Sequence, residues 1–227
     1  MTHPLDRPIW TSLATRQQAL GFGDERARRF DPAYSLFAAA ADRSAESRAA
    51  LTDLVREHGV AALVEADEPD MPEGLAVASR AVLWQMAADP AELKIVTPTF
   101  AYEPLTDADG PQMLALATLT KPGPFFARTH QLGDFVGVKR GGVLIAMAGE
   151  RMKPDGFTEV SGVCAHPDHR GHGYAAGLMS IVAERILARG EAPFLHVYDH
   201  NTAAIAIYER LGYRLRREMT MLVVEAA

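Results

Sequence analysis

The chain has 227 residues, a single cysteine and a net charge of −6. With 48% apolar and 23% charged residues, it is too hydrophobic for a disordered chain and not basic enough for nucleic acid to be its main partner. No apolar run reaches membrane-spanning length and Met1 to Trp10 is too polar for a signal peptide. The lone Cys164 rules out an internal disulfide, so a protein of the reducing cytoplasm is expected.

In chain order, Thr11 to Leu20 reads as a helix stopped by Gly21 and Gly23. Arg26, Arg28 and Arg29 form a basic cluster, expected on a solvated face. Ser44 can cap a helix from Ala45 to Glu57 with Leu51, Leu54 and Val55 inward and Gly59 as its stop. Val60 to Val64 and Ala81 to Met86 read as strands, the second with Trp84 in the core, separated by an acidic, proline-containing loop. These residues show no catalytic constellation. Asp89 to Pro98 reads as a junction, dividing the chain into a region of residues 1–96 and a domain of residues 97–227.

Beyond the junction the pattern sharpens. Phe100 to Leu105 is a strand, and Asp107 can start a helix with Met113, Leu114, Leu116 and Ala117 inward. Lys121-Pro-Gly-Pro breaks it, and a loop runs from Phe125 to Leu132. Asp134 to Lys139 and Val143 to Met152 are strands joined at Arg140-Gly141-Gly142, a hairpin signal. Phe157 to Ala165 is a strand, and Leu178, Ile181, Val182, Ile186 and Leu187 mark a helix that Gly190 stops. Phe194 to Tyr198 is a strand, Asn201 opens a helix that Gly212 ends, and Tyr213 to Arg216 and Met219 to Val224 close the chain as a strand pair.

The most informative stretch is the join between Ala165 and that first long helix. His166-Pro167-Asp168 ends the strand, because proline cannot donate to a ladder. Arg170-Gly171-His172-Gly173-Tyr174-Ala175 then begins the helix. A helix start carries unpartnered backbone N–H groups and a positive dipole end, and Arg170 adds a charge with a fork suited to phosphate. A P-loop is excluded because no Gly-Lys-Ser/Thr ending is present. Gly171, Gly173 and Ala176 do match a dinucleotide fingerprint, but five residues intervene after the strand and too little chain follows Asp199 for a doubly wound sheet.

Three separated elements together resemble the GNAT N-acetyltransferase superfamily: Val163-Cys-Ala-His-Pro-Asp-His-Arg-Gly-His-Gly-Tyr-Ala, the strand Phe194-Leu-His-Val-Tyr, and the helix Asn201-Thr-Ala-Ala-Ile-Ala-Ile-Tyr-Glu-Arg-Leu-Gly-Tyr. The likeness runs from Thr99 to Val224 and is greatest to the subgroup that shares its C-terminal half with glycine N-acyltransferase-like proteins. It implies an α/β fold, the GNAT acyltransferase fold, with a mixed, mostly antiparallel central sheet flanked by helices. Residues 97–227 would form the GNAT domain, and residues 1–96 an α/β extension or a degenerate GNAT-like half.

The resemblance also implies the chemistry: transfer of an acetyl group from acetyl-CoA, with no metal, to a primary amine of a small molecule or peptide. The backbone of Val163, Cys164 and Ala165 would meet the pantetheine arm, the segment Arg170, Gly171, His172, Gly173, Tyr174 and Ala175 the pyrophosphate, and Asn201 the pantetheine. Tyr208 would protonate the leaving thiolate and Glu159, with Glu150 as runner-up, would take the amine's proton, since an ammonium is not a nucleophile. Phe126 and His130 are the candidates for acceptor contacts. His166, His169, His172 and Cys164 invite a metal reading, but the three histidines span a turn and a helix start and need not converge. The competing function is a non-catalytic acyl-CoA sensor. Expected partners are acetyl-CoA and an amine, without nucleic acid or membrane, in a monomer or homodimer.

Overall fold

The computed structural model describes residues 3–227. Pro8 starts α1 (Pro8–Ala14), where its missing N–H costs nothing. The predicted helix to Leu20 breaks after Ala14 and resumes only as a short 3-10 turn. There follow β1 (Gly21–Gly23), β2 (Ala27–Phe30) and β3 (Ala38–Ala40), α2 (Ala45–His58), β4 (Ala61–Glu65), β5 (Leu75–Ala88), β6 (Glu103–Leu105), α3 (Gly110–Thr120), β7 (Phe135–Arg140), β8 (Val143–Glu150), β9 (Phe157–Ala165), α4 (Tyr174–Ala188), β10 (Ala192–Tyr198), α5 (Thr202–Arg210) and β11 (Tyr213–Ala226). Strands β1 to β3 form a small antiparallel sheet, and the other eight form one sheet in the order β4-β11-β5-β10-β9-β8-β7-β6. Only β9 and β10 run parallel among the paired strands of this large sheet, so it is the mixed, mostly antiparallel sheet expected. Among the described residues no helix is long and apolar enough to cross a membrane.

Strand alternation divides the sheet's cover. Val136, Ile145, Ala148 and Val160 face α4 through Leu178, Val182 and Ile186. Phe135, Met147 and Cys164 face α3 through Met113, Leu116 and Ala117. A capping box of Thr106 and Asp109 sets the 3-10 turn Asp107–Asp109 that leads into α3, so Asp107 lies inside the turn and caps nothing. Ser44 caps α2 as predicted, accepting from the Ser47 N–H, and Gly59 ends it at φ 82°. At Gly149 on β8, the ring of Phe135 occupies the space a Cβ would need. Gly149→Ala should therefore destabilise the fold by about 1–3 kcal/mol through overpacking, read as a lowered midpoint in denaturant unfolding.

Three features differ from the sequence reading. The short Ala81 to Met86 strand is the middle of a 14-residue strand, β5, inserted between β10 and β11. Residues 1–96 and 97–227 therefore share one sheet, with β5 as the joint. The closing strand pair is one continuous β11, whose polar middle resembles a turn in sequence. A bulge between Leu215 and Arg217 absorbs it, and Arg216 reaches Gln85 Oε1 at 2.8 Å and Asp6 at 2.7 Å. Arg29, expected on a solvated face, is fully buried. Among the described residues it has no carboxylate partner, and it donates to the carbonyls of Phe30, Leu54, Gly59 and Val60.

Candidate active site

The site is built where β9 and β10 part. Their parallel pairing covers only Ala192–Phe157, Pro193–Thr158 and Phe194–Glu159. Past that point the β9 edge from Val160 to Ala165 and the β10 edge from Leu195 to Tyr198 separate. Gly162 supports the divergence: it has φ 64° and lies where the β8–β9 register skips a residue, a bulge that bends the strand. Backbone groups of Val163 and Ala165 on the β10 side are thus left without a strand partner.

The turn after β9 leads into α4 through Gly171 at φ 81° and Gly173 at φ 75°. Nothing lies within 4 Å of a Cβ built on either, so the glycines are required by backbone conformation while their surroundings stay open. Gly173 is the residue before the helix, and the first-turn amides of Tyr174, Ala175 and Ala176 have no carbonyl behind them. Arg170 is exposed beside them. Tyr174 offers only its amide, because its ring is buried against Phe100 and its hydroxyl accepts from Arg140 at 3.1 Å.

A cavity of about 650 Å³ runs through the split, lined on one side by Arg170 to Ala176 and on the other by Asn201, Ala204, Ile207 and Tyr208. Asn201 both lines it and caps α5, accepting from the Ala204 N–H at 3.3 Å. The Tyr208 ring packs on Tyr213, and burial pushes its phenol up to about 12. Cys164 also borders the cavity, but burial raises its thiol to about 11, so it packs rather than attacks. Among the described residues no group of three or more His, Cys, Asp and Glu side chains could hold a metal ion.

Both candidate bases are paired with cations. Glu159 is fully buried at the root of the split. Arg151 holds it with two hydrogen bonds, Nε to Oε2 at 2.8 Å and Nη2 to Oε1 at 2.7 Å, and His196 Nδ1 lies 2.8 Å from Oε1. Burial alone would raise the carboxyl, but the Arg151 charge and these hydrogen bonds outweigh it and hold it at about 2. Such a carboxylate has no free lone pair aimed at a substrate and little affinity for a proton. His196 is also engaged. The Gln85 amide oxygen accepts from Arg216, so its nitrogen faces His196 Nε2 at 3.0 Å, which places the ring proton on Nδ1, toward Glu159. Glu150 lies outside the cavity, paired with Lys153 and Arg189 at 2.8 and 2.7 Å.

Phe126 and His130 do not reach the cavity either. His130 is turned to Asp107 at 3.2 Å and packs over Gly110. The segment just before that loop lines the cavity instead, Lys121 to Pro124, and Phe37, Leu83, Arg151, His196 and Met221 also line it. Of these only His196 lay within a motif legible in sequence. Phe37 and Leu83 come from the N-terminal region and reach the site by long-range pairing.

A family model described as FR47-like protein matches residues 135–222. An acetyltransferase of Yersinia pestis is 42% identical over 50 residues, 21% of this chain and 35% of that protein. An acetyltransferase of Sodalis glossinidius is 38% identical over 58 residues, 25% of this chain and 41% of that protein. The chain thus matches less than half the length of these curated relatives. Among solved structures, one of Novosphingobium aromaticivorans described as an acetyltransferase from the GNAT family is 43% identical, covers 100% of both chains and superposes with a TM-score of 0.91. A GCN5-related N-acetyltransferase of Kribbella flavida, 23% identical over 95% of each chain with a TM-score of 0.63, shares the fold.

Proposed function

Because the chain belongs to the GNAT family, we propose that it is an acetyl-CoA-dependent N-acetyltransferase acting on a primary amine by direct attack. What carries this reading is one cavity bordered by the unpaired β9 edge, the glycine-bearing start of α4 and Tyr208. The free backbone of Val163 and Ala165 pairs with the amides of the pantetheine arm, with Asn201 beside it. The amides from Arg170 to Ala175 take the pyrophosphate at the positive end of α4. The acetyl carbonyl then lies at the root of the split. The amine adds to it, the C–S bond breaks, and the Tyr208 hydroxyl donates its proton to the departing thiolate. Water in the cavity takes the amine's proton and returns a proton to Tyr208, so the phenol is restored, while Glu159 positions Arg151 and His196. The lone buried Cys164 fits a reducing, cytoplasmic setting.

Thiol release from acetyl-CoA across a panel of amines tests the proposal. Release that requires both protein and amine supports it. CoA binding without release for any amine would instead make the protein an acyl-CoA sensor. The cofactor cradle is tested separately. Gly173→Leu should weaken CoA binding at least about tenfold in calorimetry, since a side chain then stands among the amides. At this positive φ the change should cost only about 1–2 kcal/mol of stability, a few degrees of melting temperature. Unchanged CoA affinity would remove the phosphate from this turn.

A further inference from the structure

Resting on the acetyltransferase reading, we infer that the acceptor is an amine that also carries a carboxylate, an amino acid in the chemical sense, and that Arg151 recognises that carboxylate. A guanidinium has five N–H donors. Glu159 occupies two of them, on the edge formed by Nε and Nη2. Nη1 has no hydrogen-bond partner among the described residues, and it lies against Gly123, a wall of the cavity. The free edge, formed by Nη1 and the second N–H of Nη2, matches the spacing of a second carboxylate. The Arg151 side chain is nine-tenths buried and lines the cavity at its acceptor end, and its guanidinium carbon stands 4.9 Å from the centroid of the Phe37 ring, which fixes the plane of the fork.

The charge of the cavity agrees. Its lining includes Lys121, Arg151, Arg170 and Arg210 and no aspartate or glutamate. Arg170 and Arg210 stand on the α4 and α5 side, where the anionic cosubstrate is placed. Lys121 and Arg151 remain at the other end, and Lys121 makes no ion pair among the described residues. Against Glu159, which is buried and already bonded, the accessible field there is positive. It repels a polyamine or a lysine-rich peptide and draws in a zwitterion. The walls beside the fork, Phe37, Leu83 and Met221, are apolar, which suits an aliphatic or aromatic carbon skeleton between the amine and the carboxylate.

The test compares isosteric ligands on the wild-type protein. Each of the standard α-amino acids and its carboxamide is titrated by calorimetry into protein saturated with CoA. At least one amino acid should bind about ten- to hundredfold more tightly than its amide, the size of a hydrogen bond to a charged group. Arg151→Lys keeps a charge beside Glu159 but removes the fork, and should shrink that ratio to within about threefold while binding of CoA is retained. Equal affinities for acid and amide, tighter binding of the amides, no binding of any amino acid, or an undiminished ratio in Arg151→Lys would each overturn the inference. Because these readouts are binding, they stand apart from turnover. An absence of thiol release would remove the acetyltransferase reading and leave the carboxylate comparison to be decided by its own result.

Discussion

Tyr208→Phe should lower kcat by about 10²-fold or more, with CoA affinity and melting temperature nearly unchanged. The hydroxyl makes no hydrogen bond to another described residue, so removing it breaks no native contact, while the ring that packs on Tyr213 is kept. Burial raises the phenol to about 12, so it stays protonated through the whole assay range and can donate as the C–S bond breaks. A thiol is a comparatively acidic leaving group, with an ordinary pKa of about 8.5. The loss should therefore fall near the low end of the roughly 10²–10⁴-fold range of general acid catalysis. Substituting a better leaving thiol should shrink the defect further. Full kcat in the variant would return Tyr208 to a packing role, and a large drop in melting temperature would point the same way.

The parts of the site that were legible in sequence are those made by neighbouring residues. Pro167 ends β9, glycines supply the positive φ angles before α4, Asn201 caps α5, and all three effects act within a few positions along the chain. The parts that were not legible depend on pairing across long distances. β5 is found only through its partners β10 and β11, both of which lie more than a hundred residues away. The polar run Arg216-Arg217-Glu218 looks like a turn until Gln85, Asp6 and Asp67 appear beside it. Arg29 looks solvated until the end of α2 closes over it and offers carbonyls. Glu159 lies on β9, where the sequence pattern places it. Its chemistry is set by Arg151 on the segment after β8 and His196 on β10, and a single strand's pattern cannot show either.

That network sets the other large effect. Glu159→Gln should lower the unfolding free energy at neutral pH by about 3–5 kcal/mol, the usual cost of removing one partner of a buried ion pair. The amide keeps the shape and one acceptor, but it leaves the Arg151 charge buried without a counter-charge. The dependence on pH follows from linkage. The folded carboxyl titrates at about 2 against an ordinary 4.5, so between these values the unfolded chain binds more protons than the folded one. Stability from this group is fully present above about 4.5 and is lost as pH falls toward 2, roughly 3 kcal/mol in all. The gap between wild type and Glu159→Gln should therefore be constant from neutral pH down to about 5 and narrow below it, as read by denaturant titrations at a series of pH values. Adding Arg151→Met to Glu159→Gln removes the stranded charge and should recover most of the loss. The same variant separates a positioning role from a base. With water as the proton acceptor, the acidic limb of the pH–rate profile belongs to the acceptor amine. It should move when amines of different pKa are compared and stay in place when Glu159 is replaced. A limb that disappears in Glu159→Gln, with stability intact, would make Glu159 the base and remove the positioning role argued from its bonds to Arg151 and His196.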